Sequence, residues 1–544
     1  MPSRLRRLVL ATLWIPAITQ AATFTVDSTA DAPDATLGDG LCHVIGGGCT
    51  LRAAIEEANA LAGADVITFA GPLVINVGTT LPAISTPVVI NGHAGGTRLD
   101  GGNLAGSNLH GLRFISGASG SVLRGLTITR FPGFGVVING QNMAGSLTGL
   151  ILAGNRIGTD GSDAGPDAGS AFTNQGGVLI YDRATDTLLG SEDANPAARN
   201  LIVANSTSAA VAISNASNTR VQGNYIGTNA AGSARRGTME GIKVDGGAST
   251  IVDQNVIGAL ATGIRVSWDA DDTFIQRNLI GVGTNGADIA GGNSGIGGSD
   301  EHGIHIVSIN AASPRRTRIG GNQADEGNTI AYWGGNGIRL ERASNAPELR
   351  RHEWLVNSIH SNGGLGVELI DTDAGTGADP FGAPPPTLNG GPRLPMFTSA
   401  TGNAAGTHVS YELAGAPSVS YRVDFFANTA CNNGPQYGEG QTWLGNDEII
   451  LGANGGYAGT VGLPAVSAGS YLTMIASRNY NDGQPMESSE FSMCAQVQAG
   501  PGGNPGGPDN KVAAVPTLGQ LSVLLLSLSM AGAGAMQRRK RGSV

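Results

Sequence analysis

A tetrapeptide of the form Gly-(Ile/Val)-x-(Ile/Val/Leu) recurs through the middle of the chain. It stands at Gly135-Val-Val-Ile138, Gly177-Val-Leu-Ile180, Gly241-Ile-Lys-Val244, Gly263-Ile-Arg-Val266, Gly303-Ile-His-Ile306, Gly337-Ile-Arg-Leu340 and Gly366-Val-Glu-Leu369, with Ala210-Val-Ala-Ile213 as a degenerate eighth copy. A second segment, Asn-x-Ile-Gly, alternates with it at Asn155, Asn224, Asn255 and Asn278, with weaker Asn-x-Ile copies at Asn200, Asn328 and Asn357. Copies are spaced by 22 to 34 residues, with a few intervals near 40 to 50. That range belongs to solenoids, in which each unit buries its apolar face only by stacking on the next. Alternate Ile and Val point into a shared interior, and the residue between them points out. An asparagine at a fixed place in successive coils would stack on its neighbours and bond their turn backbones, a structural role.

Length and composition agree with a core that grows linearly. A chain of 544 residues exceeds one ordinary core, and 86 Gly and 25 Pro punctuate a sequence that is still 40% apolar. Such a chain spends its Val, Ile and Leu in short strands between many turns.

The pattern resembles that of right-handed parallel β-helix proteins. The run Cys49-Thr-Leu-Arg-Ala-Ala-Ile55 is similar to the Cys-Ser-Leu-Arg-Glu-Ala motif that opens many exported bacterial β-helix proteins, departing from it at Ala53. Thr50 is placed to cap a short helix whose Leu51, Ile55 and Ala58 form an apolar stripe, and the missing Glu removes half of a capping box. The expected task is to close the first coil.

The order of segments follows. Residues 1–21 have the form of a Sec signal peptide: Arg4, Arg6 and Arg7, then apolar Leu8 to Ile18, then Ala21 and Ala22. Residues 22–63 form the N-terminal cap and 64–385 the β-helix, which ends in an acidic, proline-rich stretch from Asp371 to Pro395. Residues 394–498 lose the repeat and alternate as the strands of a small immunoglobulin-like β-sandwich, resembling the sandwich that follows such β-helices. A Gly/Pro linker, 499–514, precedes Val515-Pro516-Thr517-Leu518, about twenty apolar residues, and Arg538-Arg-Lys-Arg541. This tripartite end, 515–544, resembles the Ile-Pro-Thr-Leu class of exosortase sorting signals. It implies exosortase-like machinery as a partner, a membrane contact only through the C-terminal segment, and a folded body facing outward at the cell envelope, cell surface or beyond.

Charge and cysteines fit an exported chain. The net charge is −10, and without the seven cations of the two termini the body stands near −17, which disfavours nucleic acid as a partner. In an oxidising compartment the four cysteines pair as Cys42 with Cys49 and Cys431 with Cys494, each within one proposed domain.

Candidate functional residues come from the outward positions of the repeat. Lys243, Arg265, His305, Arg339 and Glu368 form a largely basic column if the coils stack in register, suited to the carboxylates or sulfates of an extracellular polysaccharide. Asp269, Asp271 and Asp272, which follow Trp268, and Glu341 are acids that would partner the column or hold calcium through loop oxygens; no other cofactor is indicated. Gly281-Val-Gly-Thr-Asn-Gly286 matches a dinucleotide fingerprint but lacks a following helix. His302 and His305 with Glu301 would have to converge from alternate sides of one strand to bind a metal. The expected function is adhesion, matrix assembly or glycan binding, with the solenoid as a passive spacer for a binding sandwich as a variant. The alternative, a polysaccharide lyase or glycoside hydrolase, needs a base beside a cation or two carboxylates across a sugar. The column and its acids supply those residue types without a motif.

Overall fold

The computed structural model describes residues 21–500 apart from 142–146, 161–171, 194, 206, 290–300, 374–388, 392 and 432–437. The signal-peptide segment up to residue 20, the linker from residue 501 and the sorting segment with Val515–Leu518 lie outside the described residues. Two compact units divide the chain, one ending at Leu260 and one beginning at Ala261.

In the first unit three parallel sheets are built coil by coil. One coil comprises strands Ile151–Ala153, Arg156–Ile157 and Gly176–Tyr181; the next comprises Leu188–Gly190, Leu201–Ile202 and Ala209–Ser214. Each strand pairs in parallel with its counterpart one coil on, so that Val178 faces Val211 and Ile180 faces Ile213. Ile180 and Ile213 are fully buried. The arrangement is a parallel β-helix. The helix Leu51–Ala60 precedes its coils, capped by the Thr50 side chain, which accepts a hydrogen bond from the Ala53 N–H. The cap forms without the glutamate that the resemblance would place at residue 53. Cys42 and Cys49 are joined beside it.

The corner between the first two strands of each coil carries the asparagines. Asn155 Nδ2 donates to Asn200 Oδ1 (3.0 Å), Asn200 Nδ2 to Asn224 Oδ1 (2.9 Å) and Asn224 Nδ2 to Asn255 Oδ1 (3.1 Å). The same Oδ1 atoms accept the backbone N–H of the preceding asparagine, and each Nδ2 also donates to a carbonyl of an earlier coil, as Asn224 does to Leu189. Each of these asparagine side chains thereby has both its amide nitrogen and its carbonyl oxygen paired within the buried corner.

The second unit repeats this construction. Thr262–Asp271, His302–Ser308, Ile338–Arg342 and Val367–Asp371 form one parallel sheet, with Ile264, Ile304 and Ile338 in register. Asn278, Asn328 and Asn357 form its ladder at 2.9 and 2.8 Å. The repeat glycines are required by close approach: a Cβ on Gly263 would lie 2.5 Å from the Gly303 carbonyl oxygen, and one on Gly303 2.5 Å from that of Gly337. No side chain fits there.

After the last coil comes a two-sheet sandwich. Met396–Asn403, Gly406–Ala414 and Gly456–Leu463 form one sheet, and Ser420–Asn428, Thr442–Ile450 and Tyr471–Asn479 the other, around Tyr411, Phe425, Leu472 and Met474. Cys431 and Cys494 are joined. The sandwich is built onto the last coil rather than hung from it. Ile359 and Gly440 exchange backbone hydrogen bonds at 2.7 and 2.8 Å. The Glu439 carboxylate accepts from the N–H groups of Ser361 and Asn362 and from Asn362 Nδ2. Buried Trp354 donates its indole N–H to the Ser489 carbonyl, and Phe491 occupies the space over Gly366. Glu490 accepts the Leu369 N–H at 2.7 Å; burial, then the neighbouring Glu368 charge, push its carboxyl up to about 7.

Two stability predictions follow from these contacts. Asn224→Ala leaves the Asn200 backbone N–H without its partner and takes one hydrogen bond each from Asn200 Nδ2 and the Leu189 carbonyl in a buried corner, and should cost about 2–4 kcal/mol in denaturant unfolding. Glu490 is held protonated in the folded chain, so its contribution is complete below its ordinary value of 4.5 and is lost as pH rises through about 7. Thermal melts between pH 5 and 8 should therefore show a decline that Glu490→Gln flattens.

Candidate functional site

Register makes the outward column real within the second unit. Arg265 faces His305, His305 faces Arg339 and Arg339 faces Glu368 on successive strands. The side chains are spaced by the strand separation of about 4.8 Å. Lys243, in the first unit, pairs with Asp245 at 2.6 Å.

The face carries acids beside its bases. His305 Nε2 lies 3.1 Å from Glu341 Oε2, to which Arg339 Nε also donates at 3.0 Å. Arg339 Nη1 donates to Glu368 Oε2 at 3.1 Å, and Asn336 Nδ2 donates to the same oxygen at 2.7 Å. The His305 hydrogen bond, aided by Arg339, brings the Glu341 carboxyl down to about 2 against the opposing effect of burial. Such a group is ionised at ordinary pH and is unsuited to protonating a leaving group. It is a fixed acceptor within a row of donors.

The three aspartates do not converge. Arg316 holds Asp272 through two hydrogen bonds, at 2.7 and 3.0 Å, and reaches Asp271 at 3.1 Å, while Asp269 accepts the Ser313 N–H at 3.3 Å. Among the described residues no group of three or more His, Cys, Asp and Glu side chains is arranged to hold a metal ion. His302 is buried, its Nδ1 accepts the Asn336 N–H at 3.0 Å, and its ring meets that of His305 edge-on with centroids 5.5 Å apart, so the two histidines do come together, without a third ligand for a metal among the described residues. The Gly281–Gly286 stretch folds as a tight turn, with Gly286 N–H donating to Gly283.

One residue that sequence reasoning passed over as a candidate lies on the strand that carries Arg265. Trp268 lies on the Thr262–Asp271 strand three residues beyond Arg265, is 43% exposed, and has a left-handed backbone with φ of 57°. A bulky residue in that conformation is strained, and strain of this kind gathers at functional sites. The sequence carries no signal for it, because Val266, Trp268 and Ala270 alternate with polar residues as the inward positions of a strand would.

An acid titration tests the cluster. Glu341 is depressed in the folded state, so the stability it contributes is present above 4.5 and is lost as pH falls through about 2. Carbon-detected titration of the Glu341 carboxyl should show ionisation near 2, and His305→Ala should return it toward 4.5.

Residues 513–541 match the family model of the IPTL-CTERM motif. No curated protein matches the chain. The chain therefore carries an exosortase-type sorting signal at its C-terminus, the mark of an exported cell-surface protein handled by exosortase-like machinery.

Proposed function

We propose that this exported β-helix protein binds extracellular glycan, with Trp268 as a stacking platform beside Arg265, His305, Arg339 and their acidic partners. The exposed, backbone-strained tryptophan carries the reading. An aromatic face packs against the apolar side of a sugar ring, while neighbouring donors and acceptors engage its hydroxyls. The Arg339–Glu341–His305 and Arg339–Glu368–Asn336 contacts offer both kinds of group, side by side and already oriented. Successive coils repeat along the solenoid, which suits an extended polymer better than a compact ligand. Export through the Sec route and display at the envelope, with adhesion or matrix assembly as the consequence, belong to the same proposal.

Polysaccharide cleavage is the second reading, favoured by an imidazole, a carboxylate and a guanidinium within hydrogen-bonding distance. A glycan array combined with a turnover assay on the full chain separates the two. Binding without product, reduced at least about tenfold by Trp268→Ala and at least as much when Arg265, His305 and Arg339 are all replaced by Ala, is the expected result. Release of unsaturated or reducing ends would replace binding with catalysis; binding untouched by these variants would remove the site.

A further inference from the structure

The turn that leads out of the Thr262–Asp271 sheet holds a second feature, built from residues other than those of the site proposed above. Asp271 pairs with Arg315, and Arg315 with Arg350, as isolated parallel bridges on three successive coils of the second unit. The residue after each, Asp272, Arg316 and Arg351, has a left-handed backbone, with φ of 52°, 55° and 65°. The first unit has Asp186, Asn218 and Ser249 in the corresponding left-handed step, each followed, like Asp272 and Arg316, by a buried threonine. Short polar side chains suit that conformation because they bond their own backbone; arginine has no such compensation. Two coils nevertheless carry arginine there, each preceded by another arginine.

The result is an open pocket of about 550 Å³ lined by Asp272, Arg315, Arg316, Arg350, Arg351 and Gln484. Three of its guanidinium groups are fixed from behind. Arg316 is held by Asp272 and Asp271, Arg351 by Asp482 at 3.2 and 2.9 Å, and Arg350 by fully buried Glu487 at 2.7 Å. Arg351 also lies over the Tyr480 ring at 3.8 Å. Each guanidinium has five N–H donors, more than these bonds consume. Arg315 is exposed, and among the described residues its side chain makes no hydrogen bond or ion pair. Its charge acts on Asp271 only through space.

We infer that Arg315, Arg316, Arg350 and Arg351 form a recognition site for the carboxylate or sulfate groups of an acidic polysaccharide. Three forks held in place lower the ordering cost of binding, and Arg315 supplies the cation not already hydrogen-bonded. On a body that is acidic overall, a local group of arginines gives anionic polymers one place to approach.

The test uses the full chain, with polygalacturonate and dextran sulfate as anionic probes and dextran as the neutral one. At least one anionic polymer should bind more tightly than dextran, with an affinity that falls as salt rises. Arg315→Ala should weaken that binding roughly tenfold without moving the melting temperature, since Arg315 has no internal bond to lose. Arg315→Lys should recover part of it. Retained affinity in Arg315→Ala, or equal binding of all three polymers, would overturn the assignment. Made in a Trp268→Ala background, Arg315→Ala should produce the same roughly tenfold loss, which separates this site from the one proposed above.

Discussion

Everything in this fold rests on satisfying a buried corner. Each coil turns sharply between its first two strands, and the backbone N–H and C=O groups at such a turn are removed from water. An unmatched group there costs more than most side-chain contacts return. The asparagine amide solves the problem because it has a donor and an acceptor on one short side chain, so it bonds the coil ahead and the coil behind together. Once that column exists, coils have one register, and register decides which side chains share the outer face. The Arg265–His305–Arg339–Glu368 row and the Arg315–Arg350 step are both consequences of stacking that the asparagines enforce.

The solenoid was legible in the sequence because its contacts, though distant along the chain, repeat. Gly-Ile-x-Val and Asn-x-Ile each recur at a coil's spacing, and a period is visible without knowledge of which residues touch. The helix cap at Thr50 and both disulfides were legible for a different reason: few partners were available. Glu341, two positions beyond Arg339, faces outward beside it because alternate residues of a strand share a side. The seating of the sandwich was hidden. Glu439 reaches Asn362, and Glu487 reaches Arg350, across non-repeating separations of 77 and 137 residues, so no pattern announces them.

Arginine at the left-handed step shows a third kind of limit. Composition cannot reveal that position 316 or 351 is left-handed; that follows only when the coils are aligned and the equivalent residues prove to be Asp, Asn and Ser. Trp268 is similar. Its neighbours alternate as a regular strand, and only the backbone angle shows that the chain twists there to turn an indole outward.

The contacts that Glu439, Phe491 and Ser489 make with the final coil also bear on assembly. Parallel sheets with a bare last rung are templates on which another chain can add, as fibrils do. By occupying that rung with backbone, carboxylate and aromatic groups of its own, this chain terminates its stack internally. That end of the stack then offers a second copy covered backbone instead of an open rung, and the length of the stack is set by the chain's own sequence instead of by concentration.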